Sequence, residues 1–410
     1  MARKLSLAVA IALILAGCGG GHRFNLALRQ QATQALTSNA GAAVVEANND
    51  FGFRLFAALV PGPPDENVFI SPASIATALA MTYNGAAGET KTAMAEALGV
   101  AGVDLDDLNR ANESLKDLLE NIDAKVQLDI ANSLWAREGI EFRDDFLQRN
   151  KRYYGAEVRA LDFNSPGAVK TINKWVSHHT NGRIKGIIER IPPTFVLYLI
   201  NAIYFKGEWK DKFDKGDTRE RDFHLADGST ARHPMMSRHG DYPYYRGEGF
   251  AGVALPYGDG RAAMYILLPD EGVTLTELLG RLDAQSWEEW VGGFHEREGL
   301  VSIPRFTSEY GVELCDALEQ LGMGIALTEA ADFTGMHSEG GLWIGEVMHK
   351  TYVDVNEEGT EAAAATSVGM ERAASMDEPF TFIADRPFFY AIRDNETEAI
   401  LFMGVLLSPS

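Results

Sequence analysis

Few side chains in this sequence have the types and spacing that chemistry needs. Gly247-Glu248-Gly249-Phe250-Ala251-Gly252 matches G-x-G-x-x-G, but a dinucleotide site needs a strand before that motif and a helix after it. Here "VALPY" follows, with Pro256 ending a strand, so no cofactor is expected. His178-His179 suggests a metal, yet adjacent side chains on a helix diverge and do not converge on one ion, which makes both surface residues. The chain has no G-x-x-x-x-G-K-[ST], no G-x-S-x-G and no H-E-x-x-H. No His, Ser and Asp set stands out as a hydrolase triad, although a dispersed triad leaves no local motif. Cys315, in "VELCDAL", fills an apolar slot of a helix-like stretch and reads as a buried structural thiol. No metal or organic cofactor is implied.

The elements that would position any site form one long unit. The 410 residues are 46% apolar and 23% charged, ordinary for a globular chain with a sizeable core. The net charge is −21, and loss of Arg3 and Lys4 with residues 1–17 takes it to −23. So acidic a surface repels nucleic acid unless basic residues cluster, and only short pairs such as Lys151-Arg152 occur. Two cysteines, Cys18 and Cys315, make no disulfide framework.

The leader "MARKLSLAVAIALILAGCGGG" has a basic start, Arg3-Lys4, and an apolar run from Leu5 to Leu15 that is short for a membrane span. Its end, Leu15-Ala16-Gly17-Cys18, resembles the lipobox of bacterial lipoproteins. That resemblance implies cleavage after residue 17 and acylation of Cys18, hence an extracytoplasmic protein anchored to the bacterial envelope by lipid. If Cys18 is not lipidated, the leader is an ordinary secretory signal and the protein is secreted. Residue 19 is Gly, which carries no signal for inner-membrane retention. Residues 18–43 read as the lipidated cysteine and a tether, and 44–410 as a single domain.

Within that domain, apolar spacing predicts helices at 44–60, 72–84, 89–98, 104–121, 144–154, 168–180, 274–281 and 311–321. Strands are predicted at 127–135, 196–204, 252–256, 262–268, 299–306, 342–355, 379–384, 388–393 and 399–406. The mixed order without a βαβ rhythm is α+β.

One stretch resists assignment. "EEGTEAAAATSVG" (357–369) holds the strongest helix-forming run in the chain, between Gly359 and Gly369, with no large apolar residue. Read with period two, Thr360, Ala362, Ala364, Thr366, Val368 and Met370 share one face, and Glu361, Ala363, Ala365, Ser367, Gly369 and Glu371 the other. Every acidic residue falls on one side. This is a strand pattern beneath helix-prone composition.

Six segments, in order, resemble the serpin family over residues 46–408. They are "NVFISPASIATALAMTYNGAAGETKTAMAEALG" (67–99), "LINAIYFKGEWKDKFD" (199–214), "IPRFTSEYGVELCDALEQLGM" (303–323), "ADFTGM" (331–336), "EVMHKTYVDVNEEGTEAAAAT" (346–366) and "ADRPFFYAIRDNETEAILFMGVLLSP" (384–409). The resemblance implies a fold of three β-sheets and eight or nine helices, with an exposed reactive-centre loop at about 357–379. It also implies a monomer that traps serine proteases irreversibly, the cleaved loop inserting into the central sheet with the acyl-enzyme attached; strand addition of this kind is a known use of serpin loops. Glu357, Glu358, Gly359, Thr360, Glu361, Ala362, Ala363, Ala364 and Ala365 match the hinge of inhibitory members. By the family's count the bait bond is Ala373–Ala374, suiting an elastase- or subtilisin-like protease; Arg372–Ala373 is the alternative and suits a trypsin-like one. Ser71, Ser74, Asn201 and His349 match the polar cluster beneath the point where the sheet opens. Trp209, Arg305 and Glu357 match the open end, where an Arg305–Glu357 ion pair would hold the top closed. The other reading is a non-inhibitory serpin acting as a binding module.

Overall fold

Ser71 and Pro72 start a helix where the sequence predicts one. In this computed structural model the Ser71 hydroxyl accepts from Ser74 N and Pro72 opens the first turn. The structure describes residues 26–36, 38–360 and 378–409. Its helices are α1 (Leu26–Leu36), α2 (Asn39–Leu59), α3 (Pro72–Tyr83), α4 (Gly88–Ala97), α5 (Leu105–Leu119), α6 (Asp144–Tyr154), α7 (Ala168–His179), α8 (Leu275–Leu279), α9 (Ala284–Gly292) and α10 (Cys315–Leu318). Its strands are β1 (Val68–Ile70), β2 (Val126–Arg137), β3 (Glu157–Leu161), β4 (Leu197–Glu208), β5 (Arg219–His224), β6 (Thr230–Gly247), β7 (Phe250–Pro256) and β8 (Ala262–Pro269). They continue with β9 (His295–Pro304), β10 (Phe306–Glu313), β11 (Glu346–Asn356), β12 (Gly359–Thr360), β13 (Phe380–Ile383), β14 (Phe388–Asp394) and β15 (Ile400–Leu406).

The content is α+β as predicted. A six-stranded sheet runs β10-β11-β12-β4-β2-β3. The other nine strands form one hydrogen-bonded network that turns on the long β6, which pairs with β5 through residues 230–235, with β9 through 235–244 and with β7 through 244–247. Hydrogen bonding thus makes two sheets of the described strands, the nine-stranded one continuous through β6. The main core lies between the nine-stranded network, α2, α3 and the inner face of the six-stranded sheet. A second apolar cluster sits on the other face of that sheet, where α7 contributes Ile172 and Val176 against Ala131, Trp135, Ile200 and Ala202.

Three expectations are corrected. Residues 26–43 are not a bare tether: 26–36 form α1 and 39–43 the first turn of α2, which Ser38 caps by accepting from Gly41 N. The Leu/Ala/Gln composition of α1 favours helix, and Ala32 and Leu36 are buried one turn apart. With α1 there are ten α-helices among the described residues, two of them of five and four residues. The predicted helix 311–321 is a strand through Glu313, because Phe306, Ser308 and Tyr310 alternate inward; the helical turn begins only at Cys315. The β5–β6 hairpin and α9 were not foreseen. β5, "RERDFH", buries only Phe223 and so carries little apolar signal.

The motif at 247–252 closes the β6–β7 hairpin, and His178 and His179 end α7. Cys315 is a free thiol but only half-buried, not sealed in the core; burial pushes its pKa up, which makes it a poor nucleophile.

Candidate functional site

The site is a seam in the six-stranded sheet. β4 and β11 pair in parallel from Tyr198↔Glu346 to Tyr204↔Tyr352 and then diverge. β12 occupies the gap above, antiparallel to both, with Thr360 opposite Val355 and Gly207, and Gly359 opposite Asn356 and Glu208. Parallel ladders are slightly weaker per residue than antiparallel ones, so the seam is a soft join and its filled upper end is the stronger arrangement.

Residues 357–360 were expected in an exposed loop; the structure buries all four. The reason is local. Gly359 sits at φ +146, where a Cβ would collide with Gly207 O and come within 2.7 Å of Glu208 Cα, so only glycine folds the chain back into the gap. The carbonyls of the turn are then held in sequence: Asn356 O accepts from Trp209 Nε1 (2.8 Å), Glu357 O from Phe213 N (3.0 Å) and Glu358 O from Trp209 N (3.0 Å). Trp209 is buried and stacks on Tyr257, ring centroids 4.4 Å apart. The Tyr257 hydroxyl lies 2.8 Å from Thr360 Oγ1.

The Arg305–Glu357 ion pair forms. Arg305 stands at the corner between β9 and β10, and the Glu357 carboxylate also accepts from Thr218 Oγ1 at 2.7 Å. Burial alone would raise the Glu357 carboxyl, but the Thr218 hydrogen bond and the Arg305 guanidinium outweigh it and hold its pKa below the ordinary value.

Lower on the seam, Ser71, Ser74, Asn201 and His349 come together, all but sealed from solvent. Strand register does this: Asn132 on β2, Asn201 on β4 and His349 on β11 form one cross-strand row. Asn201 Nδ2 donates to Asn132 Oδ1 (2.6 Å), Ser74 Oγ (2.5 Å) and Ser74 O (3.2 Å). His349 Nε2 accepts from Ser71 N (3.1 Å), so its proton resides on Nδ1 and is donated to Asn201 Oδ1 (2.5 Å). Asn132, Tyr257 and Thr218 were not singled out from sequence. Only pairing across strands reveals them.

Burial pushes the His349 pKa down to about 3. Between the ordinary value of 6.5 and that figure, the unfolded chain binds a proton that the folded chain excludes. The stabilisation is therefore complete above about pH 6.5 and is lost as pH falls, with a slope approaching about 1.4 kcal/mol per pH unit. Unfolding in denaturant should quicken from about pH 7 to about pH 5, and much less so in His349→Gln. Identical pH dependence in the two proteins would exclude His349 as the source.

Of the other residues expected at the site, Glu361, Ala362, Ala363, Ala364, Ala365, Arg372, Ala373, Ala374 and Cys18 lie outside the described residues.

A family model described as "Serpin (serine protease inhibitor)" matches residues 46–409. The chain belongs to the serpin family. This serpin is 38% identical over 370 residues to an uncharacterized serpin-like protein of Thermococcus kodakarensis, covering 89% of this chain and 86% of that one. It is 36% identical over 375 residues to the leukocyte elastase inhibitor of Bos taurus, covering 88% and 98%. Among solved structures it resembles the thermophilic serpin tengpin in its native state (TM-score 0.83, 35% identity, 89% and 94% covered). It also resembles human thyroxine-binding globulin complexed with thyroxine (TM-score 0.84, 27% identity, 90% and 100% covered). The likeness thus reaches both a protein named as an elastase inhibitor and one named for binding thyroxine.

Proposed function

We propose that this serpin is an irreversible suicide-substrate inhibitor of serine proteases, and not an enzyme. One observation carries the reading: the loop's first two strand residues already fill the top of the seam, in a register that can continue. In that register each further loop residue falls one position back along β11 and β4. Ala362 would come opposite Val353 and Phe205, Ala364 opposite Thr351 and Ile203, Thr366 opposite His349 and Asn201, and Val368 opposite Val347 and Leu199. All eight partners are buried, which suits the uncharged face of the loop. On the opposite face Glu361 would meet Asp354 and Lys206 near solvent, whereas Ala365, Ser367 and Gly369 would come beneath α7, opposite Ala202, Ile200 and Tyr198 on the β4 side. Small residues fit there.

Full insertion exchanges one parallel pairing for two antiparallel ones. At about 1 kcal/mol net for each ladder hydrogen bond, a strand of roughly ten residues gains on the order of 10 kcal/mol before burial is counted. Thr360–Ala373 as a strand spans about 45 Å at about 3.3 Å per residue, enough to carry an acylated protease across the molecule.

Incubation with elastase, subtilisin and trypsin, followed by denaturing gels, tests the reading. The expected result is an SDS-resistant complex and a released C-terminal peptide that begins at Ala374, since a small bait residue accords with the relative named for leukocyte elastase. A peptide beginning at Ala373 would assign the bait to Arg372, and cleaved fragments with no complex would refute inhibition. A non-inhibitory serpin acting as a binding module, the reading that the likeness to thyroxine-binding globulin favours, should instead be nicked in the loop without any gain in thermal stability.

The leader supports anchoring through a lipid on Cys18 at the extracytoplasmic side of the envelope. The wild type is expected to partition into detergent, and Cys18→Ser into the aqueous phase. Equal partitioning would dismiss the anchor.

A further inference from the structure

Glu358, in the turn between β11 and β12, carries a second set of charges at the loop root, distinct from the Arg305–Glu357 pair. Its carboxylate lies 3.1 Å from Lys212 Nζ and 3.1 Å from Lys215 Nζ. Glu208, the last residue of β4, shares Lys212 at 3.1 Å. Lys212 and Glu358 are largely buried, with side chains 14% and 11% exposed, whereas Lys215 is 61% exposed. The lysines belong to the segment after β4 that supplies Trp209 N and Phe213 N to the turn's carbonyls. Side chains and backbone of one segment therefore grip the root together.

We propose that Lys212 and Lys215 form an electrostatic latch on Glu358 that keeps Gly359 and Thr360 seated in the seam, so that insertion resumes from a filled first rung once the loop is cleaved. The geometry makes the latch conditional. Glu358 reaches both lysines only while Gly359 turns the chain back; withdrawal of β12 straightens the turn and carries the carboxylate away. A partly buried pair resists screening better than an exposed one, so salt weakens mainly the share held by Lys215. The consequence for protease trapping rests on the inhibitory reading, because a root that leaves the seam inserts late and lets the acyl-enzyme hydrolyse. The seating of the root does not depend on that reading.

Two readouts on the full chain separate them: amide hydrogen exchange at Gly359 and Thr360 in the uncleaved protein, and the moles of inhibitor consumed per mole of protease trapped. In Lys212→Gln/Lys215→Gln, exchange at both amides should rise roughly tenfold and consumption should rise with it. Lys212→Arg/Lys215→Arg should preserve both values. Lys215→Gln alone, at an exposed position that does not threaten folding, should give a smaller change, which high salt reproduces in the wild type. Exchange as slow in Lys215→Gln and in the double glutamine variant as in the wild type would overturn the latch. If the wild type traps no protease, the inhibitory reading falls, and exchange alone decides the latch.

Discussion

On the inhibitory reading, replacing Thr360 with arginine should turn the protein from an inhibitor into a substrate. Thr360 is sealed from solvent between Val355 and Gly207, its hydroxyl on Tyr257. A guanidinium in that slot would be buried beside an aromatic hydroxyl, at a cost of several kcal/mol. The less costly outcome is for the root to leave the seam. The strand then has to begin its insertion at the position that refuses a charge, and hydrolysis of the acyl-enzyme overtakes it. The yield of SDS-resistant complex is expected to drop at least about tenfold, with the cleaved serpin released, while Thr360→Ser stays close to wild type. A Thr360→Arg protein that traps protease at the wild-type yield would sink the insertion mechanism.

Asn201→Ala should open the seam from its middle. The amide joins three elements, and its loss leaves Ser74 Oγ, Asn132 Oδ1 and the His349 Nδ1–H without their present partner. Each such buried group costs about 1–3 kcal/mol, on the order of 5 kcal/mol together, so the thermal midpoint should fall by roughly 5–10 °C. An opened seam also presents two unpaired strand edges to any extended segment, and gentle warming should yield multimers sooner than in the wild type. A midpoint within about 2 °C of the wild type would mean that the row is a passive part of the core.

Much of this site was legible in the sequence. The alternation of Thr360 through Met370 is a property of consecutive residues, and period two needs no knowledge of the fold. Ser71-Pro72 announces its own helix start in the same way. The misreadings share a physical origin. Leu314, Ala317 and Leu318 sit at helical spacing, and the strand before them has a weakened period-two signal because Ser308 is among its inward residues and Gly311 among its outward ones. The α1 stretch has the propensity of a helix yet no cue that Ala32 and Leu36 would find a surface to cover.

The sequence by itself determined that the chain is α+β and that residues 360–371 carry a period-two pattern with the acidic residues on one side. It did so because backbone preference, side-chain period and charge are all set by near neighbours. The tertiary structure alone decided that Gly359 and Thr360 pair between β11 and β4. Where β4 and β11 part, they leave a gap that Gly359 can turn into, and the gap exists only because two strands more than a hundred residues apart are paired in parallel below it. Pairing of β4 with β2 brings Asn132 to Asn201, its pairing with β11 brings His349 there, and the seating of β12 brings Thr360 to Tyr257 and Glu358 to Lys212 and Lys215. Contacts of such range depend on register, and register is a property of the assembled sheet.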